Sequence, residues 1–408
     1  MGNSASISIL KPDGTLPAIV GGDPVRAKFL VFGAPDLGEA EIQEVVDTLR
    51  SGWIGSGPKV ARFEQQFAEY QGAAHAIAVN SCTAALHLSL LSLGIGAGDE
   101  VVTTPMTFCA TVNAILHAGA TPVFADCDPR TMNIDPQAVR DVITPRTKAI
   151  VPVHFAGRPC DMPALMEIAR EHDLKVVEDC AHAIEARIGG KSMGTFGDLG
   201  CFSFYVTKNV VTAEGGMVLT GNAGYESTIK TSALHGMSKD AWKRFDDEGY
   251  QHYEVTHAGF KYNMTDVQAS LGIHQLARVE ENLARREDLW RQYDEGFADL
   301  PCFLPAAPAQ DTRHARHLYT LLLDIDNLIV DRDFILDALL QENIGTGVHY
   351  VALTRHRFYQ QFAPGVRFPG AEFISDRTLS LPLGPGMSQR DADDVISAVQ
   401  RLLIYFAA

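Results

Sequence analysis

The chain predicts an α/β fold in which a mostly parallel sheet is covered by helices on both faces, followed by a smaller α+β region. From about residue 76 to residue 178, short apolar runs alternate with segments of helical periodicity, the pattern of strands buried on both sides. Beyond the helix expected from Thr265 the pattern changes to mixed strands and helices. At 408 residues the chain is also too long for one ordinary core.

Residues 1–30, rich in Gly, Pro and small polar side chains, read as an extended arm. A first helix carries Ile42, Val45, Val46 and Leu49 on one face, and a second carries Val60, Phe63, Phe67 and Tyr70. Ala76–Val79 reads as a strand and Thr83–Leu93 as a helix stopped by Gly94. Val101–Thr104 (strand), Ala110–His117 (helix) and Thr121–Asp126 (strand) follow. Ala149–Val153 and Lys175–Glu178 continue the strands, flanking a helix near Pro163–Glu171. Thr265-x-x-Gln268 is a capping box opening one long helix to about Arg286. A strand over Leu318–Ile325, a helix over Phe334–Leu340, a strand over Gly345–Tyr350 and a closing helix over Ser388–Leu403 complete the reading. The expected division is an arm (1–30), a large domain (31–280) and a small C-terminal domain (281–408).

Formal charge is −16, with 34 Lys and Arg against 50 Asp and Glu. That excludes nucleic-acid or anionic-lipid binding through a broad basic face. Any anionic substrate must meet local cations or backbone N–H groups. Seven scattered cysteines without a C-x-x-C pair read as buried thiols of a reducing cytoplasm, not a disulfide framework or a zinc site. No apolar run approaches the roughly 18 residues of a membrane span, and no signal-peptide core is visible. Met1–Ser6 matches the myristoylation pattern, which is too loosely specified to carry weight.

In open α/β sheets ligands bind beyond the carboxyl ends of the strands, and Asn80, Pro105–Phe108, His154 and Asp179 fall there. Val177-Glu178-Asp179-Cys180-Ala181-His182 ends an apolar run in acid, and Lys208 sits in the aromatic, nearly uncharged run from Phe202. A desolvated lysine exposes a neutral amine that can attack a carbonyl and form a Schiff base. An aspartate beside the same pocket can hold a protonated pyridine nitrogen. Together they are what pyridoxal 5'-phosphate (PLP) requires, because the ring acts as an electron sink only while protonated. The Asn80–Ala85 turn at a helix start suits phosphate, through free N–H groups and the positive dipole end, and equally an ordinary N-cap. Ser203 offers a hydroxyl to the same phosphate. Phe108 suits a ring lying on the cofactor or a core residue, and His182 suits the cofactor, Asp179 or a structural role. Glu214-Gly215-Gly216 reads as a tight turn whose glycines serve the backbone.

These residues together resemble the sugar-nucleotide aminotransferases of the DegT/StrS family. The matching pieces run from Ser51-Gly52-Trp53-Ile54-Gly55-Ser56-Gly57-Pro58 through Asn80–Ala85, Gly94–Val101, Pro152–Gly157, Glu178–Ala183, Phe202–Lys208 and Glu214–Gly216 to Gly259–Asp266. The resemblance implies PLP fold type I, with a mostly parallel seven-stranded sheet in the large domain. It implies Lys208 as the cofactor-binding lysine, Asp179 as the pyridine-nitrogen partner and Phe108 as the stacking ring. Thr83, Ala84 and Ser203 would hold the phosphate, joined by Asn263 from the neighbouring subunit of a homodimer; His182 would approach the cofactor. Ile54, Ser56 and His349 would meet the substrate. Cys82 and Cys180 stand where the family usually has Gly or Ala. The runs His235–Trp242, Phe260–Asn263 and Gly345–Tyr350 look most like the UDP-4-amino-4-deoxy-L-arabinose aminotransferase branch. Activity would then be amino transfer from L-glutamate or glutamine to a nucleotide-linked 4-ketosugar. The alternatives are a 3-ketosugar aminotransferase and a dehydratase, the latter disfavoured because dehydratase relatives carry histidine at the lysine position. A non-enzymatic regulator would need a DNA-binding module, and no such segment is visible.

Overall fold

The fold was obtained as a computed structural model that describes residues 16–237 and 253–408. The Met1–Ser6 pattern and the Asp240–Trp242 part of the His235 motif lie outside the described residues. Helices α1 (Glu39–Ser51) and α2 (Pro58–Gln71) lead into β1 (His75–Val79), α3 (Cys82–Ser92), β2 (Glu100–Thr103), α4 (Cys109–His117) and β3 (Thr121–Phe124). Then come α5 (Pro136–Val142), β4 (Thr147–Val151), α6 (Met162–Glu171) and β5 (Lys175–Asp179). A hairpin of β6 (Arg187–Ile188) and β7 (Lys191–Ser192) precedes β8 (Leu199–Ser203), β9 (Gly216–Thr220), α7 (Ala223–Ala233), α8 (Asp266–Ala277) and α9 (Val279–Phe297). The remainder contains β10 (Cys302–Phe303), β11 (Thr312–Arg313), β12 (Tyr319–Leu323), α10 (Arg332–Gln341), α11 (Pro369–Arg377), β13 (Thr378–Leu381) and α12 (Gln389–Tyr405).

Seven strands form the main sheet in the order β1-β9-β8-β5-β4-β2-β3. Neighbours are parallel except where β9 runs against both β1 and β8. Successive side chains of a strand point to opposite faces, and here both faces are apolar. Val102, Ile150, Val176 and Phe202 join the core beneath α2, α6 and α8. Val101, Val151, Val177 and Cys201 join the core beneath α3, α4 and α7. This is the physical basis of the unbroken apolar runs in the sequence. A separate core gathers Leu289, Trp290, Tyr293 and Phe297 of α9 with Tyr319 and Leu321 of β12, Leu379 of β13 and Val395, Val399 and Leu402 of α12.

Four expectations need correction. The helix from the Thr265 capping box ends at Ala277, because Arg278 leaves helical geometry (φ −111°, ψ 13°) and α9 starts afresh. The Arg278 guanidinium reaches Glu41 on α1 at 2.6 Å and the carbonyl of Asp36 at 2.6 Å. Gly345–Tyr350 forms no strand: Gly345 donates to the Leu30 carbonyl while Gly347 exchanges bonds with Ser380, so its partners belong to two different segments. Residues 1–15 of the arm lie outside the described residues, and its described part is not simply extended, since Ala18–Val20 makes a 3-10 turn whose first N–H reaches Glu342. In α1 the apolar face points outward, with Ile42 52% and Leu49 56% exposed. The inner face is polar, Glu41 accepting from Gly38, Gln275 and Arg278.

Candidate active site

Asp179 closes β5 and is buried at its carboxyl end. Its Oδ1 accepts the Ala181 N–H at 3.1 Å, and its Oδ2 accepts the Thr111 hydroxyl at 2.8 Å. Thr111, in the first turn of α4, is held in turn by Thr107 at 2.7 Å. Burial pushes the Asp179 carboxyl above its usual range, while these donors and the Lys208 charge pull the other way. A carboxylate so placed gains from a further N–H or cationic partner, which is what a protonated ring nitrogen offers. The preceding Glu178 points to the opposite face of the strand and does something else. It accepts N–H groups from Gly194, Phe196 and Gly197 at 2.7–2.8 Å and pairs with His154 Nε2 at 3.0 Å. His154 Nδ1 accepts the Cys160 N–H, so the ring proton lies on Nε2. His154, Glu178 and Cys180 sit close enough to hold a metal ion, but both histidine nitrogens and both glutamate oxygens are already engaged by hydrogen bonds.

After β8 the chain turns tightly, the Lys208 N–H donating to the Tyr205 carbonyl at 2.8 Å. Buried Phe204, Val210 and Val211 flank the turn. Desolvation lowers the Lys208 pKa to about 8, against the opposing fields of Cys82 and Asp179. A useful fraction of the amine is therefore neutral near neutral pH. Burial pushes the Cys82 thiol well up, so it stays uncharged beside the lysine.

The Asn80–Ala85 turn opens α3, where Ser81 caps the helix by accepting the Ala84 N–H at 3.1 Å. The register Val79–Gly216–Ser203 across β1, β9 and β8 places Ser203 on the same edge as this turn. Gly216 is packed against it: a Cβ there would lie 2.5 Å from the Ser81 carbonyl and 2.7 Å from the Cys82 nitrogen. Ser203 is buried, and its Oγ accepts the Tyr205 N–H at 3.4 Å. Thr83, Ala84 and Ser203 thus converge on one helix N-terminus, a ready place for an anion.

Phe108 stands at the N-cap of α4, 58% exposed, with its ring 6.1 Å from Tyr350. His182 accepts the Ala156 N–H on Nδ1 at 3.2 Å, so its proton lies on Nε2, facing the Tyr350 hydroxyl at 3.3 Å. Burial, with the nearby Lys208 charge, holds His182 well below its usual range. The same causes push His349 down to about 4, with its Nδ1 2.9 Å from Ser380 Oγ. Ile54 is exposed in the loop between α1 and α2. Ser56 accepts the Asn263 amide at 2.7 Å, and the two line a cavity of about 420 Å³ with Glu64 and Lys230. Lys208 lines a different, much smaller one with Asn209 and His317. Ser56 and Asn263 thus line a cavity apart from that of Lys208, although Asn263 bridges Val79 and so lies beside the Asn80–Ala85 turn. Sequence reading missed Thr111, Glu185, Arg286 and His317 as neighbours of the site. Only the Thr107-x-x-x-Thr111 spacing carried a signal.

The DegT/DnrJ/EryC1/StrS aminotransferase family model matches residues 35–400. The chain belongs to that family. It is 49% identical over 381 residues to the spore coat polysaccharide biosynthesis protein SpsC of Bacillus subtilis, covering 93% of this chain and 98% of SpsC. Among solved structures it is similar to the putative sugar aminotransferase Spr1654 of Streptococcus pneumoniae in its PMP-form, with TM-score 0.86, 34% identity and coverage of 92% and 99% of the two chains. The Helicobacter pylori aminotransferase PseC, involved in the biosynthesis of pseudoaminic acid, aligns with TM-score 0.86 and 30% identity over 93% and 100%. The sheet is that of PLP fold type I. An aminotransferase family and a lysine and aspartate meeting in one buried site make pyridoxal 5'-phosphate the cofactor of this chain.

Proposed function

We propose that this chain moves an amino group from L-glutamate or glutamine to a nucleotide-linked 4-ketosugar, giving a 4-amino-4-deoxy or 4-amino-4,6-dideoxy sugar nucleotide. The observation that carries this reading is the desolvated Lys208 beside buried Asp179 in a chain of the family. When bound, the cofactor supplies an electron-withdrawing ring. Asp179 would hold the ring nitrogen's proton, its orientation set by Thr111 and the Ala181 N–H. Thr83, Ala84 and Ser203 would receive the phosphate at the start of α3, and Phe108 would lie against the ring. His182, neutral with its Nε2 proton toward the Tyr350 hydroxyl, would flank the cofactor. The neutral Lys208 Nζ takes a proton from the donor's α-carbon and returns one to the sugar carbon.

The sugar acceptor is supported by the names of SpsC and PseC, and a transaminase rather than a dehydratase by the lysine at position 208. We read the chain as a homodimer in which Asn263 reaches the partner's phosphate site and Ile54, Ser56 and His349 meet the sugar nucleotide. In support, Ile42, Leu49, Trp53 and Ile54 are each more than half exposed around the Ser56 loop, an apolar patch that a second copy would cover. The division into arm (1–30), large domain (31–280) and small domain (281–408) belongs to the same reading. Seven free thiols suit a reducing cytoplasm, and no helix among the described residues is long and apolar enough to cross a membrane. The test is amination of UDP- and dTDP-linked 4-ketosugars with glutamate by wild type and Lys208→Ala. Activity confined to free α-keto acids would overturn the substrate, and native-rate transamination by Lys208→Ala would overturn the lysine.

A further inference from the structure

We propose that Asn209, the residue after Lys208, is a positioning residue that holds the lysine in place by tying its loop to a buried ion pair and to His317. The Asn209 amide nitrogen lies 2.8 and 3.1 Å from the two oxygens of Glu185 and 3.1 Å from the Ala315 carbonyl. All three are acceptors, so the orientation of the amide is decided: nitrogen toward them, oxygen toward His317 Nδ1 at 2.9 Å. His317 must therefore donate from Nδ1. Burial, with the cations of Lys208 and Arg286 nearby, opposes a second proton, which leaves Nε2 unprotonated.

Behind Asn209 the anchor is rigid. Glu185 and Arg286 of α9 are 0% and 1% exposed, and the pair is closed at 2.5 Å. Arg286 Nε also donates to the Arg316 carbonyl at 3.1 Å. Ala315 and His317 donate their N–H groups to Gly157 and Ala156, and the Ala156 N–H goes to His182. One continuous set of hydrogen bonds thus runs from α9 through Asn209 and the 315–317 segment to His182. A buried ion pair is costly to break, because removing one partner strands the other charge. A lysine has a long flexible stem and will turn its charge toward water whenever its backbone yields. With Asn209 fixed at both ends of its amide, the backbone does not yield.

The groups around Lys208 are Cys82 from α3, Asp179 from β5, His182, His317 and His349, with Asp36 and Arg286 lining the same small cavity. Burial keeps the thiol and the three imidazoles uncharged, and Asp179 is the charged group that acts on the lysine most directly. Freed from its anchor, Lys208 would regain water and its ammonium would be easier to keep. This rests on Lys208 being the cofactor-binding lysine, which Lys208→Ala tests by itself.

The experiment measures Lys208 in the apo-protein, by acetylation with acetic anhydride across pH followed by peptide mass spectrometry. Wild type should react with a midpoint near 8. Asn209→Ala and His317→Leu should move the midpoint to about 9 or above, toward an ordinary lysine. In the loaded enzyme both should lower kcat about tenfold or more with little change in KM. His317→Asn, whose amide N–H can replace the Nδ1–H, should restore the midpoint. A folded Asn209→Ala with the wild-type midpoint and kcat overturns the proposal. If circular dichroism shows Asn209→Ala unfolded, the His317→Leu and His317→Asn pair decides on the same readout, and equal midpoints for the two overturn it. Transamination surviving in Lys208→Ala would remove the lysine's role without touching the midpoint result.

Discussion

Lys208 and Asp179 are each displaced from ordinary behaviour by the same cause, burial, and each partly corrects the other. Asp179→Asn keeps the shape and the Thr111 contact but cannot hold a ring proton by charge. It should retain cofactor while kcat falls on the order of a hundredfold or more, the scale of losing a placed electrostatic group; near-normal kcat in steady-state assays would make Asp179 structural. The lysine also leaves a mark on stability. Its folded pKa is about 8 against an ordinary 10.5. Between those values the unfolded chain binds more of this proton than the folded one, so its contribution makes apo-protein stability rise with pH across that window. Below pH 8 the cost of burying the charge is full. Lys208→Met should therefore stabilise the apo-protein at pH 7, by about 1 kcal/mol, and the gain should shrink as pH climbs from 8 to 10.5. Calorimetry at several pH values checks this, and a variant less stable than wild type at pH 7 contradicts it.

Elements position these residues through close approaches that leave no room for a side chain. The β9 start is pressed against the α3 start, and Gly216 is the contact, with under 3 Å available to a Cβ. Gly216→Ala should displace the turn that carries Thr83 and Ala84. The expected cost is about 1–3 kcal/mol from overpacking, with cofactor affinity weakened at least tenfold by spectroscopic titration; wild-type values in both would show that the turn absorbs a methyl group. The Gly215-Gly216 pair was legible as a backbone device, but what it approaches was not, because the neighbour is some 130 residues away in the chain. The β1 to β5 series and the Thr265 cap were legible from periodicity and local capping. Helix α5 and strand β13 were not singled out; β13 finds its pairing partner β12 some sixty residues back in the chain. The break at Arg278 goes with its ion pairs to Glu41 of α1 and to Asp36 just before it, to which local propensity is blind.

At the scale of the whole molecule, the proposed homodimer is open to a direct test. If Asn263 completes the partner's site, Lys208→Ala mixed with an inactive Asn263→Ala should recover activity. Half of the dimers would be hybrids with one intact site of two, so about a quarter of wild-type activity is expected at equal amounts. No recovery, together with a monomer by light scattering, would confine Asn263 to its own chain. The charge of −16 sharpens the substrate prediction. The diphosphate of the proposed substrate would have to be held by local donors, so affinity should depend weakly on salt compared with a protein that uses a broad basic face.

By itself the sequence determined the α/β class, the strands from β1 to β5 along the chain, and the family, and it proposed Lys208 and Asp179 as the residues of the site. All of these rest on local periodicity or on short runs whose chemistry is visible in one dimension. Only the tertiary structure decided what Glu178 does, turned away from Asp179 toward His154 and the N–H groups of Gly194, Phe196 and Gly197, because strand alternation has no meaning until one face is assigned. It alone joined Asn209 to Glu185, Arg286 and His317, residues separated by up to 132 positions or by a domain's length of chain. It also turned the apolar face of α1 outward, since the polar bonds of Glu41 claim the inner side. Hydrogen bonds between distant segments are chosen by packing, and packing is what a single sequence does not display.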